Sequence, residues 1–491
     1  MPSPSSALAR ATALLGSSPL RFPVDFSNAA DKSADGEPVS VATQLEKELE
    51  LAIRREQSAG GSASSSHSKE RKNFATLNNG VYYWSLPFVL LEYLHKNDPA
   101  LGERAVEAQQ AYARFKTYGG APGPSPADVE TVMSFGSRLQ DVYYSLENVS
   151  SFLEVHLPVL KDLLESTVAL YKEAHDLGIG ANSSNATLGK ILFSWAVVLG
   201  DLARLAGSGG NSGGAGGNEE QLEYAVASCL KYSGVVSMQE DNVQALNNWG
   251  LVICDLANYY GNDGATTTRK QLYGLAMSRF RQALRRSQDS GVDRKVLARC
   301  SYNMGSVMYQ YCSIIDGEGG AARSDKAMGD VQVAHAAQYV LLAFALNPAS
   351  EVFHKAIKTI QPFLPLPFLR SSKLVYVYDE TNETADQMQQ WRPRSLALDA
   401  YHLRTVEVKS SEVTDMEINV QDITSSSICV DPWIPGGIGL KLRYRGSRHG
   451  VYISSQSRED MQGLLDALNI LQVCSSSGLQ ALADALQRRT S

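Results

Sequence analysis

One stretch, residues 243–348, restricts the fold more than any other part of the chain. It reads VQALNNWGLVICDLANYY, then QLYGLAMSRFRQALRRS, then VLARCSYNMGSVMYQYC and AAQYVLLAFALNP. Asn-x-Gly recurs inside a helical phase, as Asn248-Trp249-Gly250 and Asn303-Met304-Gly305. After the first, across a loop, comes a second helix whose small residues keep helical spacing, most clearly Ala276, Phe280 and Ala283. Gly250 and Ala276 leave room for two helices to cross closely, and Phe280 fills the gap between pairs. One such pair cannot bury its apolar face alone, so it must stack on neighbours.

A glycine on the first helix and Ala, aromatic, Ala on the second is the tetratricopeptide pattern. Gly200 takes the same slot upstream, with Ala225 and Cys229 on the helix that follows. The glycines are spaced 50 residues apart, from 200 to 250, and then 55, from 250 to 305. A tetratricopeptide period is about 34. The excess reads as long loops inside each helix pair, at residues 207–218, 261–270 and 316–330, and such insertions fall on one edge of a solenoid.

The rest of the chain is placed around this array. Residues 1–72 read as a disordered tail with one short charged helix, TQLEKELELAIRRE, before a Ser/Gly linker. Residues 73–186 form an N-terminal helical region: Tyr82 to Tyr93 gives a dense apolar helical face, and Val132, Phe135, Leu139, Val142 and Leu146 keep three- and four-residue spacing. The repeats cover 187–365 and end in PFLPLPF. From Lys373 short β-branched stretches alternate with polar turns, closing on the helix SREDMQGLLDALNILQ. That is the plan of a pleckstrin-homology-like (PH-like) barrel over 373–475, with a helical tail at 476–491. Ser457 is the expected N-cap, with Asp460 at the capping-box position. The fold class is therefore mainly α: a tetratricopeptide-like α-solenoid followed by a small β-rich barrel with a terminal helix.

A net charge of −7 argues against a general nucleic-acid binder. The six cysteines are scattered without C-x-x-C or a histidine at metal spacing, so they read as buried reduced thiols, and neither metal nor cofactor is expected. The longest apolar run, ILFSWAVVLG, is too short to span a bilayer and is followed at once by Asp201 and Arg204. The first 23 residues are rich in Ser and Ala with two arginines and no acid, a composition that resembles an organelle transit peptide.

The succession LNNWGL, MSRFRQALR, SYNMGSVMY, AAQYVLLAFALNP, LPLPFL, WRPRSLALDAYHL and the PH-like end resembles a plant and algal family of tetratricopeptide-repeat proteins, over roughly residues 190–475. The resemblance implies a peripheral protein of the trans-Golgi network and early endosome, on its cytoplasmic side, with roles in vesicle traffic and actin organisation. One departure is that PH-like domains usually carry a tryptophan on the final helix, where this chain has Leu464.

Three sites follow. Asn248 and Asn303 stand two residues before their glycines, on the face where such repeats hold a peptide backbone by its amides; the alternative is a structural asparagine. Leu192–Ala203, on the first helix of the upstream repeat, carries no Lys or Arg for a carboxylate clamp, which disfavours a chaperone cofactor. Arg279 and Arg281, with Arg285, Arg286, Arg269 and Lys270, attract an acidic partner or form a solvated helix face. Lys441, Arg443 and Arg445 alternate along a strand, with Arg448 and His449 at its turn, a patch suited to an anionic lipid or an acidic partner. Catalysis finds no support: GSGGNSGGAGGN lacks the Lys-Ser/Thr ending of a phosphate loop, and no nucleophile–base set stands out. The reading is a non-enzymatic adaptor with protein partners in its groove or on its loop edge. It has no small-molecule substrate and no nucleic acid. The alternatives are an assembly factor imported into the chloroplast and a phosphoinositide-binding PH-like module.

Overall fold

Apolar residues at helical spacing from Phe88 to Ile360 and alternating ones from Lys373 onward give a long helical series followed by a sheet. In this computed structural model the described residues are 75–78, 81–84, 88–118, 125–147, 150–208, 216–259, 266–289, 293–317, 323–360, 373–379, 391–408, 414–447, 449–455 and 457–487. The expected N-terminal tail and its helix, the Ser/Gly linker, the PFLPLPF exit and Arg448 lie outside them. The described residues fall into two compact units, one ending at Tyr259 and one beginning at Thr266, so the boundary lies inside the stretch that carries the repeats.

The first unit opens with strands β1 (Ala75–Asn78) and β2 (Val81–Trp84), paired antiparallel. The single helical face expected from Tyr82 onward is therefore wrong for its first residues. Asn79-Gly80, between two β-prone runs, is the strongest short-range hairpin signal, and helix begins only after Pro87. Seven helices follow: α1 (Phe88–Asn97), α2 (Pro99–Tyr118), α3 (Pro126–Glu147), α4 (Ser150–Gly180), α5 (Asn185–Ser208), α6 (Gly216–Met238) and α7 (Val243–Tyr259). Each packs on the next, and the expected spacing positions Val132, Phe135, Leu139, Val142 and Leu146 are all buried. Gly200 permits a close crossing: a Cβ there would sit 3.3 Å from the Val252 side chain on α7.

The second unit holds α8 (Thr266–Asp289), α9 (Arg294–Gly317), α10 (Arg323–Leu346) and α11 (Glu351–Ile360). Ala276, Phe280 and Ala283 are fully buried on α8. Gly305 marks a tight helix contact, since a Cβ there would lie 2.7 Å from the Ala336 carbonyl oxygen on α10. Here the structure corrects the long loops. Thr266–Lys270 belongs to α8 and Arg323–Asp330 to α10. At the 207–218 loop, Gly207 and Ser208 end α5, while Gly216 to Asn218 begin α6. The long period comes largely from helices of 23 or 24 residues, about 36 Å each. One of them, Asn185–Gly207, is long and apolar enough to cross a membrane by length and composition, yet 61% of its apolar window is buried inside the protein.

Seven strands complete this unit: β3 (Lys373–Asp379), β4 (Arg392–Leu398), β5 (His402–Glu407), β6 (Thr414–Asn419), β7 (Ile423–Val430), β8 (Ile438–Tyr444) and β9 (Val451–Ser454). They form one antiparallel sheet in the order β6-β5-β4-β3-β9-β8-β7, so the first strand pairs with the last. Inward positions are apolar (Val375, Leu396, Leu403, Leu440, Leu442, Ile453), and helix α12 (Arg458–Val473) packs on the sheet before α13 (Ser476–Gln487). The Ser457 hydroxyl caps α12 by accepting from the Asp460 amide, at 3.2 Å. The reciprocal half of the capping box is absent, because the Ser457 amide donates to Ser455 Oγ and the Asp460 carboxylate turns to other partners.

Candidate functional site

Helix α12 is buried nearly all round, and this decides which expected sites stay open. Its apolar stripe, with Met461, Leu464, Leu465, Leu468 and Leu471, is buried; Leu464 is fully enclosed in the place where a tryptophan was noted as missing. Its other stripe, Glu459, Gln462, Gly463 and Asp466, meets α8 and α10. Arg281 on α8 pairs with Glu459, and Arg285 donates to Gln462 Oε1 at 2.7 Å. On α10, His335 Nε2 lies 3.1 Å from Asp460 Oδ1, Gln338 donates to the Gly463 carbonyl at 3.0 Å, and the Tyr339 hydroxyl donates to Asp466. Burial raises the Asp466 pKa above the ordinary carboxylate value and is opposed by Arg281. Gly463 is needed here, because a Cβ would come 2.8 Å from His335 Nδ1.

Arg279 and Arg281, expected to line a groove or a solvated face, do neither, whereas Arg285 and Arg286 on the same helix are exposed. Arg279 is 1% exposed and donates to Gln282 Oε1 at 3.0 Å, while Arg281 is held by the chain's own Glu459. A charged residue on a helix reads as a surface residue until its partner, here 178 positions away, is known. Asn303 lies partly buried on α9, two residues before Gly305.

In the first unit one face of α7 is open. Along α7, Gln244, Asn248, Leu251, Asp255 and Asn258 recur at three- and four-residue spacing and form the exposed or part-exposed stripe of an otherwise buried helix. Asn248 is not a free amide: its oxygen accepts from Asn247 Nδ2 at 3.2 Å, and its side chain hydrogen-bonds Tyr232 on α6. Beside the stripe on α5, Arg204 pairs with the buried Asp201, which also accepts from the Tyr144 hydroxyl on α3 at 3.0 Å. Tyr144 and Leu251 are large apolar residues left 37% and 38% exposed. Burial raises the Asp255 carboxyl pKa to about 6, and the nearby Arg204 opposes the shift. The face thus combines exposed apolar area with hydrogen-bonding groups fixed by α3, α5, α6 and α7. Sequence reasoning found Asn248 in it and missed Tyr144, Asp201, Arg204 and Asp255, although the stripe spacing on α7 was visible.

On the sheet, Lys441 is already engaged. It donates to the Tyr452 hydroxyl and its ammonium lies 4.6 Å from that ring's centre. Tyr452 belongs to an aromatic cluster with Tyr378, Trp391 and Trp433, whose ring centres lie 5.2–5.9 Å apart where they touch. Arg443 is exposed on the strand, but β8 ends at Tyr444, so Arg445 stands in the turn rather than continuing the alternation. Among the described residues no group of three or more His, Cys, Asp or Glu is arranged to hold a metal. All six cysteines are free thiols and five are buried.

Comparison with protein-family models, with curated proteins and with solved structures finds no match to this chain.

Proposed function

We propose that the protein is a non-enzymatic adaptor that binds a protein partner on the α3/α5/α7 face of its first unit. The observation that carries this reading is the α7 stripe. A helix with eleven buried residues presents one continuous row, with a large exposed leucine beside hydrogen-bonding side chains held in place by neighbouring helices. Rigid helical faces of mixed polarity suit recognition of a peptide or helix, with apolar anchors supplying affinity and fixed polar groups supplying register.

Buried glycine crossings and stacked helices support a tetratricopeptide-like solenoid, although the helices exceed those of a 34-residue repeat. A seven-stranded antiparallel sheet whose first strand pairs with its last, closed by a helix, supports a PH-like barrel. Lys441 is taken up by Tyr452, which favours a protein-contacting or structural role for that barrel over phosphoinositide binding. The resemblance noted above sets this adaptor on the cytoplasmic face of the trans-Golgi network and early endosome, in vesicle traffic and actin organisation.

Proximity labelling with the full-length chain tests the reading, with Leu251→Arg as the paired variant because Leu251 is exposed and its replacement leaves the core intact. The expected result is a set of neighbours labelled by the wild type and lost in the variant. Identical labelling by both proteins overturns the α7 face, and plastid import of the tagged chain overturns the endomembrane setting.

A further inference from the structure

The two edges of the sheet in the second unit are built differently. At one edge β6 carries Asp415 and Glu417, charges of the kind that keep an edge from pairing with another chain. At the other, β7 carries no charge and no proline from Thr424 to Val430. Alternate residues of an edge strand direct their N–H and C=O groups away from the sheet. At the start of β7 the Ile423 carbonyl accepts from Gln472 of α12 at 2.6 Å. From Thr424 to Val430 no backbone group meets a donor or acceptor among the described residues beyond its pairing with β8.

The two faces of this edge differ in chemistry. Ile428 and Val430 stand opposite Leu440 and Ile438 of β8, on the side that α12 covers, where the Ser426 hydroxyl donates to Asn469 Oδ1 at 2.8 Å. Ile428 is part-exposed and Val430 is 70% exposed, so apolar area stays open at that end of the strand. On the other face Ser425 and Ser427 stand opposite Arg443 and Lys441. Lys441 is held by Tyr452, whereas Arg443 is exposed and has no acidic partner among the described residues. A strand laid beside β7 would stand about 10 Å from β8, a span that an arginine and a glutamate bridge across the small Ser425.

A second copy of β7 does not match this edge. Antiparallel pairing about Ser427 would set Ile428 against Ser426 and Val430 against Thr424. The register that matches Ile428 with Val430 brings in Pro432, which has no N–H to donate. We propose that the β7 edge takes up an extended segment of a partner protein as an added strand, its β-branched apolar residues along Ile428 and Val430 and its alternating acidic residues facing Arg443. In such strand addition main-chain hydrogen bonds give affinity and alternate side chains give selectivity.

The test is fluorescence anisotropy of the full-length chain with a labelled short peptide repeating Val-Glu, and with two forms of it N-methylated at every valine or at every glutamate. Holding the valines on one face turns the N–H groups of only one set toward β7. Saturable binding of the parent peptide is therefore expected, with loss in one methylated form and retention in the other. Val430→Ser should weaken binding about tenfold, and Arg443→Gln about threefold. Val352→Ser on α11, where the valine is 55% exposed, is the control and should change nothing. All three side chains are exposed, so their replacement leaves folding intact. Absence of saturable binding overturns the proposal, as do equal binding of the two methylated forms, wild-type affinity in Arg443→Gln, and equal weakening by Val430→Ser and Val352→Ser. None of these results touches the α7 face, whose failure would show in the labelling of the Leu251→Arg variant.

Discussion

At the residue scale the clearest consequence concerns Asp255. Its folded-state pKa, about 6, stands above the ordinary aspartate value, 3.8. The unfolded chain therefore ionises first, and the contribution of this group is fully present below about pH 4 and lost as pH rises through about 6. Ionised Asp255 then costs the first unit at most about 3 kcal/mol at neutral pH. Thermal unfolding of Asp255→Asn across pH should show a stabilised protein at pH 7.5 and no advantage near pH 4; equal melting curves at both would contradict the assignment. Thiol chemistry gives a second outcome. Burial raises Cys300 and Cys474 to about 12 and Cys254 further, while Cys429 is only partly buried. The thiolate is the reactive form, so iodoacetamide on native protein should modify Cys429 first; comparable labelling of the other five, read by mass spectrometry, would show the helices to be looser than described.

Among elements, α12 shows where sequence reasoning worked and where it stopped. Its N-cap was legible because a serine oxygen meets an amide three residues away, a purely local event. Its apolar stripe was legible because Leu464, Leu468 and Leu471 follow helical period. The burial of its polar stripe was not legible, since Glu459 and Asp466 look like surface acids until Arg281 and Tyr339 arrive from other helices. The long loops were misread for a related reason: TTTRK and RSDKAMGD are polar, but they belong to the first turns of α8 and α10. Close approach gives the sharpest element-scale test. A Cβ on Gly478 would fall 2.0 Å from the Ala345 carbonyl oxygen, a backbone atom that cannot swing aside. Gly478→Ala should therefore displace α13 from α10 and destabilise the second unit by about 2 kcal/mol, measured by denaturant unfolding. Gly274→Ala, with nothing within 4 Å, should be neutral or stabilising.

For the whole molecule, the division falls between α7 and α8, and the two units differ in what they leave available. The first keeps its α7 stripe exposed, whereas the second spends Arg281 and Arg285 on α12. Composition and periodicity announced a helical array with a β-rich end, but not that α12 would be shared between the sheet and α8/α10, because that arrangement depends on pairs more than a hundred residues apart. Sharing makes the second unit cooperative: neither the sheet nor the helices can shed α12 without exposing apolar area on one side and buried charge on the other, and breaking such a buried pair costs about 3 kcal/mol. Hydrogen exchange on the full-length chain, wild type against Glu459→Ala, tests this most directly. The account predicts that protection falls by the same free energy in α8, in α10 and in strands β7 and β8, although the substituted residue belongs to none of them. Loss confined to the helices, with the strands unchanged, would contradict it.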